Sequence, residues 1–142
     1  MIEYHIALEK LSTYLENKGV YLAKGNFDAY FHEDKTVVYN HKLRNKTNRI
    51  YSILHEIGHH LAFTGNRKAY QRKFPVLYKQ RFGEGKQNKN SNRYRMESII
   101  EEHDAWKRGE RLANKLGLDI DPDKYYTYAS RWVKSYYDGE ME

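Results

Sequence analysis

The chain has 142 residues, a formal net charge of +6 and no cysteine. This length suits one domain with a single hydrophobic core and is short for two. Without cysteine, disulfides and thiolate metal sites are excluded, so any metal must be held by histidine and carboxylate side chains. Aromatic residues make up 15% of the chain, which favours a folded domain although 31% of the residues are charged.

The beginning of the chain lacks the basic region and following apolar run of a signal peptide. No run of about eighteen apolar residues, the length needed to cross a bilayer, occurs in the sequence. We therefore expect a cytoplasmic protein that makes no membrane contact.

The first forty residues predict one helix followed by short strands. A helix is expected over residues 2–17, since apolar residues recur at three- and four-residue spacing and Gly19 supplies a stop. Its expected apolar stripe consists of Ile6, Leu8, Leu11, Tyr14 and Leu15. Strand-like runs follow at residues 20–22, 29–31 and 36–39, and the charged turn before the last run predicts a hairpin within a small sheet. Thr47 or Asn48 is the expected N-cap of the next helix.

That next helix carries the sequence Ser-Ile-Leu-His-Glu-Ile-Gly-His-His-Leu-Ala at residues 52–62. Helical residues four apart share one face, so His55 and His59 direct their imidazoles at one point, where a metal can be held. Glu56 projects about 100° around the helix from His55, close enough to bond a water on that metal without being a ligand. Two histidines for Zn²⁺ and one glutamate as general base are the chemistry of the H-E-x-x-H metallopeptidases. Gly58 is expected to leave room near the metal.

A helix whose histidines only hydrogen-bond to neighbouring side chains is the alternative. The motif would arise by independent draws roughly three times in a hundred chains of this composition, so its context has to decide. Apolar residues flank the motif, and inward-facing polar side chains in such a helix are costly unless they are coordinated or paired. The context therefore favours a metal site.

Residues 64–96 are strongly basic, with ten Lys or Arg against a single acid, Glu84. Residues 83–92 contain almost nothing apolar and are expected to form a mobile loop. We interpret 64–96 as a basic, partly mobile insert within one domain that spans residues 1–142. The charge between Arg67 and Arg95 is that of a solvated surface, or of a nonspecific contact with nucleic acid or an acidic protein surface.

A second long helix is expected from about Tyr94 to Lys115. Placed at 100° per residue, its apolar side chains gather on one face, Glu102 falls within that face, and Glu101 falls at its edge. A zinc site with two histidines from one helix needs a third ligand from another element, and a carboxylate directed into a core is costly unless it is coordinated. Glu102 is therefore the expected third zinc ligand, with Glu101 as the alternative. The expected apolar face comprises Met96, Ile99, Ile100, Ala105, Trp106, Leu112, Ala113 and Leu116.

The last expected helix begins after Asp121, which can cap it, and runs to about Tyr137. Aromatic and apolar residues at three- and four-residue spacing predict its buried face. They are Tyr125, Tyr128, Ala129, Trp132, Val133 and Tyr136.

The run from His55 to His59, followed on a later helix by the run from Glu102 to Trp106, resembles the gluzincin pattern, in which a glutamate completes H-E-x-x-H. The order of helix, small sheet, motif helix and glutamate helix is similar to that of minimal gluzincins and of the ImmA/IrrE-like peptidases of phage and mobile elements. The resemblance covers residues 36–116. It implies an α+β, zincin-like fold.

The same resemblance implies zinc ligation by His55, His59 and Glu102, with Glu56 as general base. Gluzincins often use a tyrosine or histidine to hydrogen-bond the tetrahedral intermediate, and the sequence does not choose among the tyrosines of the last helix. Trp106 stands where these families usually carry Asp or Asn. The hydrogen bond that orients a ligating histidine must therefore come from another residue.

Together these features predict a zinc metallopeptidase acting on proteins or peptides, more as an endopeptidase than as an exopeptidase. Zinc acidifies a bound water, and Glu56 takes its proton and returns it to the leaving amine. The strand at residues 36–39 is expected to align an extended substrate. The alternative is a nucleic-acid-associated or regulatory interaction domain with a structural or vestigial zinc site.

Overall fold

The computed structural model describes residues 3–81 and 91–137. In this part of the chain, six helices and a three-stranded mixed sheet form an α+β fold, which confirms the expected class. Tyr4–Glu16 forms α1, and Tyr21–Gly25, Ala29–Phe31 and Thr36–Asn40 form β1, β2 and β3. Lys46–Gly65, Arg67–Lys73, Pro75–Arg81, Asn92–Lys115 and Pro122–Tyr137 form α2 to α6. None of these described helices combines the length and apolar character that crossing a bilayer requires.

The sheet has the strand order β1-β3-β2. Strand β1 runs parallel to β3, and β2 runs antiparallel to it, so β2 and β3 form the expected hairpin. Because β3 has a neighbour on each side, its backbone groups are not open to an added strand. The expected alignment of a substrate on residues 36–39 is therefore wrong, and β1 and β2 are the edge strands.

The first helix buries Ala7, Leu11 and Leu15, which lie one above the other at four-residue spacing. Ile6 belongs to the expected stripe but is 55% exposed, because the buried face of the helix is centred on Ala7 and Leu11 and the side chain of Ile6 lies outside it. Gly19 follows the helix with φ +72°, a conformation that few other residues adopt. The expected stop at this glycine is confirmed.

Helix α2 is the central element of the fold. Its most extensive contact is with α5, and it also packs against α1, the sheet and α6. The N-cap is Asn45, whose side chain accepts a hydrogen bond of 3.0 Å from the backbone N–H of Asn48. The expected cap at Thr47 or Asn48 is wrong, since both residues already lie in the first turn.

Two glycines bring α2 and α5 into close contact. A Cβ atom on Gly58 would lie 2.0 Å from the carbonyl oxygen of Ala105, and one on Gly109 would lie 2.7 Å from the carbonyl oxygen of Leu54. Each helix thus has a glycine against the backbone of the other. The later residue of α2 meets the earlier residue of α5, so the two helices run antiparallel. Gly58 serves this contact, and the expected role of leaving room near a metal is not its main one.

The first half of α5 has a different buried face from the expected one. Met96 and Ile100 are 59% and 43% exposed, whereas the polar residues Glu97, Ser98 and Glu101 are buried. The hydrophobic pattern alone therefore predicts the wrong buried face for this half of the helix. In the second half of α5, the expected face is correct at Ala105, Trp106, Leu112 and Ala113.

The buried polar side chains of α5 have partners in the short helices α3 and α4. Oε1 of Glu97 accepts hydrogen bonds from the backbone N–H groups of Val76 and Leu77, at 2.9 and 3.1 Å, and Oε2 accepts from Arg93 Nε at 2.7 Å. These bonds offset the cost of burying the carboxylate. They attach the beginning of α4 to α5.

The last helix begins as expected, with Oδ1 of Asp121 accepting hydrogen bonds from the N–H groups of Asp123 and Lys124. Trp132, expected in the core, is 46% exposed, and the side chain of Tyr136 lies outside the described residues. The other members of the expected face are buried. They are Tyr125, Tyr128, Ala129 and Val133.

Much of the basic insert is helical, since α3 and α4 occupy residues 67–81. Of the loop expected at residues 83–92, residues 83–90 lie outside the described part of the chain. At the end of this stretch Ser91 caps α5 by accepting a hydrogen bond from the N–H of Tyr94. The expectation of a loop is therefore wrong at Asn92, where α5 begins.

We predict that Gly58→Ala destabilises the protein although alanine favours helix. The added methyl group meets the backbone of Ala105 and forces α2 away from α5. The free energy of unfolding, measured with urea, should fall by about 1–3 kcal/mol. Gly65→Ala is the matched control, because a Cβ at Gly65 has nothing within 4 Å. Equal stability of the two variants would contradict the close contact.

Candidate metal centre

Two histidines of α2 and one glutamate of α5 converge where these helices meet. Nε2 of His55 lies 3.1 Å from Nε2 of His59. The carboxylate of Glu102 reaches both, with Oε1 2.6 Å from His55 Nε2 and Oε2 3.0 Å from His59 Nε2. The structure thus brings together the three residues that the sequence singles out as zinc ligands.

The three side chains form a group that can hold a metal ion. With one donor atom taken from each of His55, His59 and Glu102, these atoms all lie within 4.8 Å of one another. The side chains are enclosed, at 12% exposure for each histidine and 2% for the glutamate. Two imidazoles and one carboxylate are a donor set typical of zinc sites that keep a position for water.

Glu56 lies beside this cluster. It is buried, and its Oε2 lies 3.2 Å from Nδ1 of His55, the ring nitrogen that does not contact Glu102. Glu56 therefore contacts His55 on the side of the ring away from the other donors, and it is not itself one of them.

Trp106 orients His55 by stacking. The two rings are 4.1 Å apart between centroids and inclined by only 10°. The indole is itself held edge-on by Tyr125 and Tyr128, with centroids at 5.3 and 5.9 Å. The contact between Trp106 and His55 is therefore ring packing and not a hydrogen bond. Trp106 also lines a cleft of about 380 Å³ between α5 and α6.

Glu101, the alternative ligand from the sequence, contacts the outer side of His59. Its Oε1 lies 3.2 Å from Nδ1 of that ring, and its Oε2 accepts a hydrogen bond from the hydroxyl of Tyr70. Of the two glutamates, Glu102 is the one that contacts both Nε2 atoms. The structure thus has Glu102, the first choice from the sequence, between the two imidazoles, and Glu101 on the outer side of His59.

The carboxylates determine the protonation of the cluster. Burial alone would lower the pKa of His55, but Glu102 and Glu56 outweigh it and raise the pKa to about 9. For His59, burial again acts downward, and Glu102 and Glu101 raise its pKa well above the usual value. Burial would raise the pKa of Glu102, but the two imidazoles hold it well below its usual range. Without a metal, the cluster is a set of charged pairs at neutral pH.

Sequence reasoning missed a polar group close to Glu56. Ser52 lies one helical turn before Glu56, and its hydroxyl is 2.7 Å from that of Tyr128. Asp28 lies near this group, and its Oδ1 accepts a hydrogen bond from the N–H of Asn40 at 2.8 Å. Burial raises the pKa of Asp28, and the charge of Glu56 raises it further. Only the spacing of Ser52 from Glu56 gave a signal in the sequence.

The tyrosines of α6 are distinguished by their hydroxyl partners. Tyr125 donates to the carbonyl oxygen of Trp106 at 2.5 Å, and Tyr126 donates to Glu110 at 2.6 Å. Of the α6 tyrosines whose side chains are described, Tyr128 is the one whose hydroxyl bonds to the motif helix, through Ser52.

His60, which directly follows the motif, has a separate role. Its Nδ1 lies 2.8 Å from the hydroxyl of Tyr30, and the two rings pack edge-on with centroids 5.1 Å apart. This pair attaches β2 to α2.

Comparison with protein-family models, curated proteins and solved structures finds no match to this chain. The case for a function therefore depends on the site itself.

We predict that zinc binding strengthens as pH rises from 6.5 to 9. The raised pKa of His55, about 9, means that zinc must displace protons at neutral pH. In the metal-free protein, the raised histidine pKa values stabilise the fold fully below pH 6.5, and this contribution is lost as pH rises through about 9. The lowered pKa of Glu102 stabilises the fold above pH 4.5. This stabilisation is lost in acid, as the pH falls through the lowered pKa.

Melting curves with and without zinc should therefore diverge as pH increases, and calorimetry at pH 7 should detect proton release. His55→Ala is the control and should lose most of the effect. A zinc-induced shift in melting temperature that is constant across this pH range would contradict the charged-pair account.

Proposed function

We propose that this protein is a zinc-dependent metallopeptidase with a zincin-like architecture. The observation that carries the proposal is the convergence of His55, His59 and Glu102 on one point, with Glu56 beside them. Three buried carboxylates around two imidazoles would be costly without compensating positive charge, and a divalent cation supplies it. The donor set matches that of catalytic zinc sites with two histidines and one glutamate.

In this proposal, His55, His59 and Glu102 hold the metal. A bound zinc ion supplies Lewis-acid activation of water and polarisation of the scissile carbonyl. Glu56 accepts a proton from the attacking water and delivers it to the leaving amine, as a general base and then a general acid. Trp106 and the apolar residues around the motif keep bulk water from the cluster.

An extended peptide has a place beside the motif helix. Strand β2 is an edge of the sheet and packs against α2, where Tyr30 and His60 join the two elements. A peptide added along β2 would run next to the helix that carries Glu56. The cleft lined by Trp106 offers a substrate side chain a position one ring away from His55. This arrangement suits an endopeptidase.

We predict that Glu56→Gln retains zinc and the fold but lowers peptide hydrolysis by about 10²–10⁴-fold, because it removes the general base and leaves the three ligands in place. Zinc content and turnover of a diverse peptide library should be measured on the same preparations. Glu110→Gln is the matched control, since this glutamate hydrogen-bonds to Tyr126 on the surface of α5 and α6.

The second candidate is an interaction domain that binds an acidic partner, and the charge of α3 and α4 favours it. Arg67, Lys68, Arg72, Lys73 and Lys79 are exposed there, and neither helix contains an acidic residue. Such a surface binds nucleic acid nonspecifically, with an affinity that falls steeply as salt rises. Zinc-loaded protein that hydrolyses no peptide of the library but binds duplex DNA in this manner would favour the second candidate.

A further inference from the structure

The carboxylate of Glu101 lies between a metal-site histidine and a tyrosine of another helix. Oε1 is 3.2 Å from His59 Nδ1, and Oε2 accepts the hydroxyl hydrogen of Tyr70, which belongs to α3. One glutamate therefore joins α2, α3 and α5 through side-chain contacts alone.

The side chain of Tyr70, which bonds to Glu101, is firmly held. Tyr70 is 4% exposed, and its ring packs against Phe63 and Phe74, with centroids at 5.3 and 5.1 Å. Glu101 is 6% exposed. Oε2 of this buried carboxylate accepts the Tyr70 hydrogen bond and Oε1 lies 3.2 Å from His59 Nδ1, so contacts on both oxygens limit its rotation.

A histidine binds a metal through a nitrogen lone pair, so its proton must be on the other ring nitrogen. In His59, Nε2 faces the cluster and Nδ1 faces Glu101. A carboxylate at Nδ1 favours the tautomer with its proton there, and it makes Nε2 a stronger donor.

We infer that Glu101 and Tyr70 are positioning residues for His59: the tyrosine fixes the carboxylate, and the carboxylate fixes the tautomer and ring orientation of the histidine. This inference rests on the proposed zinc site. His55 has a similar contact, since Oε2 of Glu56 lies 3.2 Å from its Nδ1, and its ring is also stacked on Trp106. The hydrogen bond that joins α3 to α5, between Tyr70 and Glu101, thereby helps to position a histidine of the metal centre.

The test uses zinc affinity, measured by competition with a chromophoric chelator. Glu101→Gln should still bind about one zinc ion per chain, with an affinity lowered about 10–100-fold. Tyr70→Phe keeps the ring in its aromatic cluster, removes only the hydroxyl, and should lower the affinity in the same direction by less. Nitrogen NMR of zinc-loaded protein should show the His59 Nδ1 proton of the wild type displaced in both variants.

Glu97→Gln is the matched control. Glu97 is a buried carboxylate one turn earlier on the same helix, and it bonds to the backbone of α4 and to Arg93. This variant should lose stability without losing zinc affinity. If Glu97→Gln lowers zinc affinity as much as Glu101→Gln does, the effect is general loosening of α5 and the inference is wrong.

Two further outcomes would overturn the inference. Unchanged zinc affinity and an unchanged His59 Nδ1 signal in Tyr70→Phe and Glu101→Gln would show that the chain of contacts does not act on the metal. Complete loss of zinc in Glu101→Gln, with retention in Glu102→Gln, would make Glu101 a ligand. These measurements need no peptide hydrolysis, so a wild-type protein that binds zinc without cleaving peptides would end the peptidase proposal and leave this inference standing.

Discussion

The close approach of α2 and α5 is the constraint on which the candidate centre depends. Gly58 and Gly109 each lie against the backbone of the opposite helix, and any side chain there would push the helices apart. The proposed ligand set is divided between these helices, with two imidazoles on α2 and the carboxylate of Glu102 on α5. Because donor atoms must be placed within a few tenths of an ångström to bind zinc well, the helix separation is itself part of the site.

The second constraint is electrostatic. Glu56, Glu101 and Glu102 are all buried around two imidazoles, an arrangement that proteins tolerate only with compensating positive charge. In the metal-free protein, protons on His55 and His59 provide that charge, which is why their pKa values are raised. A zinc ion would replace those protons. The same carboxylates therefore favour folding of the metal-free chain and define the conditions under which a metal enters.

Periodicity predicted much of this from the sequence. The four-residue spacing of His55 and His59 and the predicted inward position of Glu102 on α5 brought two imidazoles and one carboxylate together. The α+β class followed from the change of period before the motif. Helical phase could not separate the roles of Glu101 and Glu102, since adjacent residues differ by about 100° and both are buried. Glu97 and Glu101 are buried because α4 and α3 supply hydrogen bonds to them. Asp28 is distant in sequence from the motif helix and comes near it only in the folded structure. Neither feature has a local signature.

The central claim is that His55, His59 and Glu102 form a zinc site, and metal analysis of purified protein tests it most directly. His59→Ala should lose the metal, whereas His60→Ala is the matched control, because the adjacent histidine pairs with Tyr30 and not with the cluster. The account predicts about one zinc ion per chain in the wild type and in His60→Ala, and almost none in His59→Ala. A wild-type protein that binds no zinc, or a His59→Ala variant that retains it, would contradict the account.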